Sequence, residues 1–242
     1  MNRFYCSSSD VSGDSIIIKD KGQVHHIRDV IRLKEGERVF VFDDKAHEFD
    51  CVIDRITLAQ VVFAIRQRIQ PKREGRPEIT VACAIPRHSK IDDIIDTLTQ
   101  IGVTRIIPMM TERVVVRLDR AKRAERRVRW LKIALAASKQ SQRNTVPAVD
   151  EITNVTDVIK LSGDYDLKLI PTLPGDRTQL KDVLNSARPK HILVLIGPEG
   201  DFTPGETALA QKAGFVPVSF GDFVFRVETA CVYIASVLNY AY

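Results

Sequence analysis

No stretch of this sequence approaches the roughly 20 consecutive apolar residues that a membrane-spanning helix needs. The opening residues, MNRFYCSSSD, contain no apolar core of the kind a secretory signal carries. A cytoplasmic protein with no membrane partner is the expectation. Cys6, Cys51, Cys83 and Cys231 are scattered, with no CxxC pair and no histidine at zinc spacing. Reduced, mostly buried thiols are therefore expected, with no disulfide and no metal site. Missing too are a GxxxxGK[ST] loop, a GxGxxG run directly after a strand, a GxSxG elbow and an HExxH pair. Kinase, dehydrogenase, hydrolase and zinc-enzyme readings lose their usual support.

What is present describes a soluble globular chain of one large or two modest domains: 242 residues, 44% hydrophobic and 28% charged. The net charge of +5 is modest but clustered. Arg113 to Lys132 holds nine Lys or Arg against Asp119 and Glu125, and Arg66 to Arg76 holds five against Glu74 alone. Such patches suit a polyanion through phosphate contacts. A solvated helix face and a charged linker are the plain alternatives.

Two rhythms divide the chain. Up to about residue 70, short β-rich runs at Ser15–Ile18, Arg38–Phe42, Phe49–Ile53 and Val61–Ile65 are separated by polar turns, Lys34-Glu35-Gly36-Glu37 among them. Gln23 to Leu33 places Val24, Ile27, Val30 and Ile31 at helical spacing. A small barrel with one helix is expected, and the adjacent His25 and His26 suit a local hydrogen-bonding role. Gln70 to Pro77, with two prolines, a glycine and several charges, has the composition of a linker. Beyond it strands and helices alternate, which predicts a largely parallel sheet. The expected strands are Ile79–Ile85, Val103–Pro108, Lys168–Ile170, Ile192–Ile196 and Val216–Phe220. The expected helices are Lys90–Ile101, Arg120–Ser141, Gly205–Ala213 and Glu228–Tyr240.

Two of these strands end in glycine turns that lead into a helix. Ile192 to Ile196 has no polar break, as a strand covered on both faces should read. Gly197-Pro198-Glu199-Gly200 stops it, and Thr203-Pro204-Gly205-Glu206 starts a helix with a capping box and proline at its first position. The second turn, Ser219-Phe220-Gly221, precedes the last helix. Such turns expose backbone N–H and C=O groups where ligands bind in open α/β sheets. Taken singly, each could be a mere connection.

Leu195-Ile196-Gly197-Pro198-Glu199-Gly200, then Phe202-Thr203 with Glu206, then Phe225-Arg226 with Glu228-Thr229-Ala230, resembles the RsmE family. These are uridine-N3 methyltransferases of 16S ribosomal RNA in the knotted SPOUT superfamily. The resemblance extends over nearly the whole chain. It implies an α/β protein with a PUA-like β-barrel over residues 1–72 that binds RNA, and a SPOUT α/β domain with a deep trefoil knot over 73–242. It also implies S-adenosylmethionine as cofactor, no metal, 16S ribosomal RNA or the small ribosomal subunit as partner, and a homodimer as the active unit.

By the same resemblance the cofactor would lie against Pro171, Thr172 and Leu173, against Ile196, Gly197, Pro198, Glu199 and Gly200, and against the segment from Ser219, Phe220 and Gly221 to Phe225, Arg226 and Thr229. Arg226 would favour the anion formed when uridine N3 loses its proton, and Glu228 would orient Arg226 or take that proton. A salt bridge between the two at a helix start is the plain alternative. Arg3, Arg28, Arg32, Lys90, Arg113 and Arg143 would hold phosphates. The chain departs from the family pattern at Thr97 and Gln100, where lysine and glutamate are usual. It departs again at Asp201 in place of glycine, at Lys139 in place of glutamate and at Phe223 in place of arginine. These departures keep open a SPOUT methyltransferase for another rRNA or tRNA position, or a non-catalytic RNA-binding relative.

Overall fold

A computed structural model describes residues 2–69, 76–86, 90–114, 119–173 and 175–242. Contacts divide the chain into two units, residues 1–74 with 138–146, and residues 75–137 with 147–242. The expected boundary between 72 and 73 lies outside the described residues, as does most of the basic linker.

In the first unit, β1 (Arg3–Tyr5), β2 (Val11–Ser12), β3 (Ser15–Ile18), β4 (Arg38–Phe42), β5 (Glu48–Ile56) and β6 (Val61–Ile69) form one sheet in the order β1-β4-β5-β6-β3-β2. Among the described residues only the β1–β4 pair is parallel. The two edge strands, β1 and β2, do not pair with each other, so the expected barrel is an open half-barrel. Alternating residues turn Ile16, Ile18, Val39, Val41, Phe49, Cys51, Ile53, Val61 and Phe63 into its core.

The helix expected at Gln23 to Leu33 is shorter and less regular. α1 (Lys21–His25) starts on Asp20, whose carboxylate accepts from Gln23 N at 2.8 Å. It passes into a π-helical turn over His26–Val30, and Arg32 leaves it at φ +59°. The wider π turn breaks the phase of the apolar spacing. Val24 and Ile27 stay buried, whereas Val30 turns outward and is 58% exposed.

The second unit contains β7 (Glu78–Ala84), α2 (Ile91–Ile101), β8 (Arg105–Met110), α3 (Arg120–Gln140), β9 (Ala148–Val149), β10 (Thr153–Asn154) and α4 (Val155–Lys160). Then come β11 (Leu167–Pro171), β12 (Thr178–Gln179), α5 (Leu180–Ser186), β13 (His191–Ile196), α6 (Pro204–Lys212), β14 (Val216–Ser219) and α7 (Val227–Ala241). The last turn of α3 groups with the first unit. The sheet runs β10-β8-β7-β13-β11-β14-β12 with β9 beside β8, and every pairing is parallel. Past their first residues β7 and β13 are buried on both faces, which is why β13 reads as an unbroken apolar run from Ile192 to Ile196 and β7 as one interrupted only by buried Thr80. Ile91, Ile94, Ile95 and Leu98 bury one face of α2, and Gly102 ends that helix at φ +112°. On α3 it is Trp130, Ala134 and Ala137 that are buried, while Leu131 faces outward. Among the described residues no helix is long and apolar enough to cross a membrane.

Candidate active site

β11 lies between β13 and β14 and all three point the same way, so their C-terminal ends emerge side by side. The three segments that follow, together with the start of α7, frame a cleft with about 620 Å³ of empty space, open solvent included.

The turn after β13 is built tightly. A Cβ on Gly197 would lie 3.0 Å from the Phe202 ring, so any larger residue would have to push that ring aside. Asp201 N donates to Pro198 O at 2.9 Å, and Asp201 itself sits at φ +62°. That left-handed backbone is uncommon outside glycine, although aspartate tolerates it better than most residues. The capping box forms as expected: Glu206 N donates to Thr203 Oγ1 at 3.3 Å, and Thr203 N to Glu206 Oε2 at 2.8 Å. Buried Glu206 also accepts from Glu112 N at 2.8 Å, and Thr203 Oγ1 donates to Glu112 Oε2 at 3.2 Å. The Arg113 guanidinium caps the carbonyl of Gly200. The segment from Thr111 is thereby tied to the glycine turn.

At the second turn Gly221 adopts φ +101°, and its N–H donates to Ser219 Oγ at 3.1 Å. Phe220, Phe225 and Tyr233 pack as a trio with ring centroids 5.0 to 6.1 Å apart. Arg226 is the N-cap residue of α7, and its side chain is exposed. Glu228 pairs with Lys90, Nζ to Oε1 at 2.5 Å, and among the described residues no ion pair joins it to Arg226, whose charge acts on it only from a distance. The hydrogen bond from Lys90 outweighs partial burial and holds the Glu228 carboxyl below its usual range. Such a carboxylate stays charged at neutral pH, and is better suited to orienting a cation than to taking a proton.

Of the cofactor residues expected from sequence, Thr172, Leu173, Ile196, Gly197, Pro198, Glu199, Phe220, Gly221 and Phe225 line this cleft, while Gly200, Ser219, Arg226 and Thr229 do not. Pro171, also expected, lines it too, and Arg177, Asp201, Val218, Phe223, Val224, Val227 and Ala230 complete it. Val227 and Ala230 could have been found from the three-residue spacing of the buried face of α7. Arg177 had no such signal.

The six basic residues expected to meet RNA fall in different settings. Arg3 pairs with Glu48 and donates to Arg143 O at 3.2 Å, with only a tenth of its side chain exposed. Arg143 is buried and donates to Thr145 Oγ1 at 3.1 Å. Arg28 forks onto Asp29 at 2.7 and 2.6 Å, and His25 Nδ1 shares that carboxylate at 2.7 Å. Arg32 is exposed beside them, with its Nε 3.4 Å from Asp29 O. Lys90 and Arg113 serve Glu228 and the glycine turn. Arg117, within the basic stretch before α3, lies outside the described residues.

Residues 73–239 match the model of the RNA methyltransferase domain family. The chain belongs to that family. Residues 18–63 match the RNA methyltransferase PUA domain. The Ribosomal RNA small subunit methyltransferase E of Bacillus subtilis is 28% identical over 223 residues, which is 90% of this chain and 87% of its own length. The enzyme of that name from Neisseria gonorrhoeae, solved bound to S-adenosyl methionine, superposes with a TM-score of 0.87 at 27% identity, covering 99% of this chain and 97% of its own. A Legionella pneumophila protein solved with bound SAM gives 0.86 at 29% identity, with 99% and 97% covered. The family resemblance read from LIGPEG and RVETA therefore holds.

Proposed function

We propose that this chain transfers a methyl group from S-adenosylmethionine to N3 of a uridine in 16S ribosomal RNA. The observation that carries the reading is the cleft at the ends of β11, β13 and β14, set in an RNA methyltransferase domain. Its lining suits a purine nucleoside: Leu173, Ile196, Phe220 and Phe225 are apolar faces for a flat ring, and the glycine turns leave backbone groups near at hand for its polar edge. When bound, the cofactor supplies an already activated methyl on a sulfonium, and no metal is required.

The chain's own part is positioning and charge. Uridine N3 is nucleophilic only after its proton leaves, and the negative charge then spreads to O2 and O4. Exposed Arg226, next to the cleft-lining Phe225 and Val227, is the cation offered to that anion. Glu228, kept ionised by Lys90, steadies the start of α7 and adds negative charge near Arg226. N3 in a base pair is inaccessible, so the target is single-stranded or flipped out. Arg28 and Arg32 on the irregular helix of the PUA unit are the proposed phosphate contacts there, and Arg3 and Arg143 serve as their buried scaffold.

A trefoil knot is proposed for the second unit, supported by the position of β13 between the earlier strands β7 and β11. A homodimer is proposed as the active form. Its support is the exposed apolar surface of Phe223, Val224 and Tyr240, which are 78%, 72% and 94% accessible. Ribosomal RNA as substrate puts the activity in the cytoplasm. A second reading, methylation at another rRNA or tRNA position, rests on Gln100, which turns to Asp96 at 2.6 Å where the family pattern has a glutamate.

Titration calorimetry with S-adenosylmethionine and S-adenosylhomocysteine tests the reading, and heat is expected from both. Arg226→Ala should bind the cofactor yet lose methyl transfer to small-subunit RNA by about 100-fold or more. Absence of binding removes the enzyme reading, and unchanged turnover removes the role of Arg226. Mapping the methylated nucleotide in the product decides between the two target readings.

A further inference from the structure

We infer that Asp201 is a positioning residue, fixing one wall of the proposed cofactor cleft by holding the Thr172–Leu173 peptide from across it. The inference rests on the S-adenosylmethionine reading. Asp201 Oδ2 accepts from Leu173 N at 2.8 Å and from Thr172 Oγ1 at 3.1 Å, while Oδ1 accepts from Phe202 N at 2.8 Å. One carboxylate thus joins the segment after β11 to the turn after β13. The carbonyl of Thr172, the other end of the same peptide group, accepts from Arg177 Nη1 at 3.2 Å. Both polar ends of one peptide are therefore held by charged side chains, and charge-assisted bonds are about twice as strong as neutral ones.

The restraint falls where the sheet no longer supplies it. Thr172 N makes a long 3.4 Å contact with Val218 O, and β11 has already ended at Pro171. Leu173 lines the cleft with 47% of its surface exposed, so its position depends on how its backbone is held. The φ of +62° at Asp201 aims the carboxylate across the gap, a backbone that glycine would adopt without a side chain to use. The chain keeps an awkward residue at this turn, and all three bonds of its carboxylate tie the two walls or stiffen the turn. The role is in binding the methyl donor, upstream of the chemical step.

Asp201→Gly and Asp201→Asn in the full chain test this. Glycine takes the left-handed backbone freely, so the fold should survive, as thermal melting will check. In ligand-free protein, amide exchange at Leu173 should accelerate about tenfold in Asp201→Gly, and less in Asp201→Asn, whose amide oxygen can still accept. Affinity for S-adenosylhomocysteine should fall about three- to tenfold in Asp201→Gly. KM for the donor should rise to match, with kcat at saturating donor retained. Unchanged affinity in Asp201→Gly overturns the inference, even with faster exchange, because the contact would then be structural only. A fall in kcat without a change in KM also overturns it. If the wild-type chain itself binds neither ligand, the cofactor reading fails and takes this inference with it.

Discussion

Lys90 reaches Glu228 from the residue just before α2, 138 positions away in the chain. The consequence is a carboxyl held below its ordinary range. A depressed folded-state value means that the pair's stabilisation is fully present above the carboxyl's unfolded value and is lost as pH falls through the lowered one. Lys90→Met should raise the Glu228 titration midpoint, measured by carboxyl NMR, and move the acid limb of any activity profile towards neutral. An unshifted midpoint would mean that Lys90 is not the cause. The cysteines behave in the opposite sense. Burial, helped by nearby negative charge, pushes Cys6 and Cys51 up to about 12, and a hydrogen bond with Cys83 together with burial raises Cys231. All four are free and buried. The folded protein should therefore leave a thiol reagent at pH 8 unconsumed, and four thiols should react once it is unfolded in guanidinium. The scattered spacing predicts buried, reduced thiols, and all four lie buried and unpaired with one another in disulfides.

At the scale of the element, the turn between β13 and α6 concentrates the constraints. Gly197→Ala forces a Cβ against the Phe202 ring at 3.0 Å and should cost about 1–3 kcal/mol of stability. Thr203→Ala removes half of the capping box and should cost about 1 kcal/mol. Thermal or denaturant unfolding of each variant checks the two figures. The capping box was legible from Thr203-Pro204-Gly205-Glu206, because a cap is a local device whose partners lie three residues apart. The π-helical turn at His26–Val30 was not legible, since apolar spacing describes an α-helix until the backbone departs from it. β9, β10 and β12, with two residues each, and α4 and α5, with six and seven, are too short to show a period.

For the whole molecule, basic charge and exposed apolar surface suggest two kinds of partner. An RNA held through phosphates releases counterions, so affinity should fall steeply and linearly on logarithmic axes as salt rises. A flat response in filter binding or fluorescence anisotropy would count against a phosphate-driven interface. If the exposed end of α7 is a subunit contact, sedimentation should find a dimer that Tyr240→Asp weakens towards monomer. A wild-type monomer at all concentrations would remove the proposed assembly.

The sequence by itself determined the β-rich first unit, the parallel sheet of the second and both glycine turns. Each is set by local chemistry: β-rich runs bounded by polar turns in β3 and β6, apolar runs from Val81 to Ala84 in β7 and from Ile192 to Ile196 in β13, the close approach of the chain at Gly197, and the positive φ of Gly221. Tertiary structure alone decided which distant groups meet. Asp201 finds Thr172 and Leu173, Arg177 enters the cleft, and Lys90 takes Glu228 from Arg226. These pairings depend on β13 lying next to β11 and on α7 starting beside the end of β14. Strand order is a long-range property, and no window of neighbouring residues carries it.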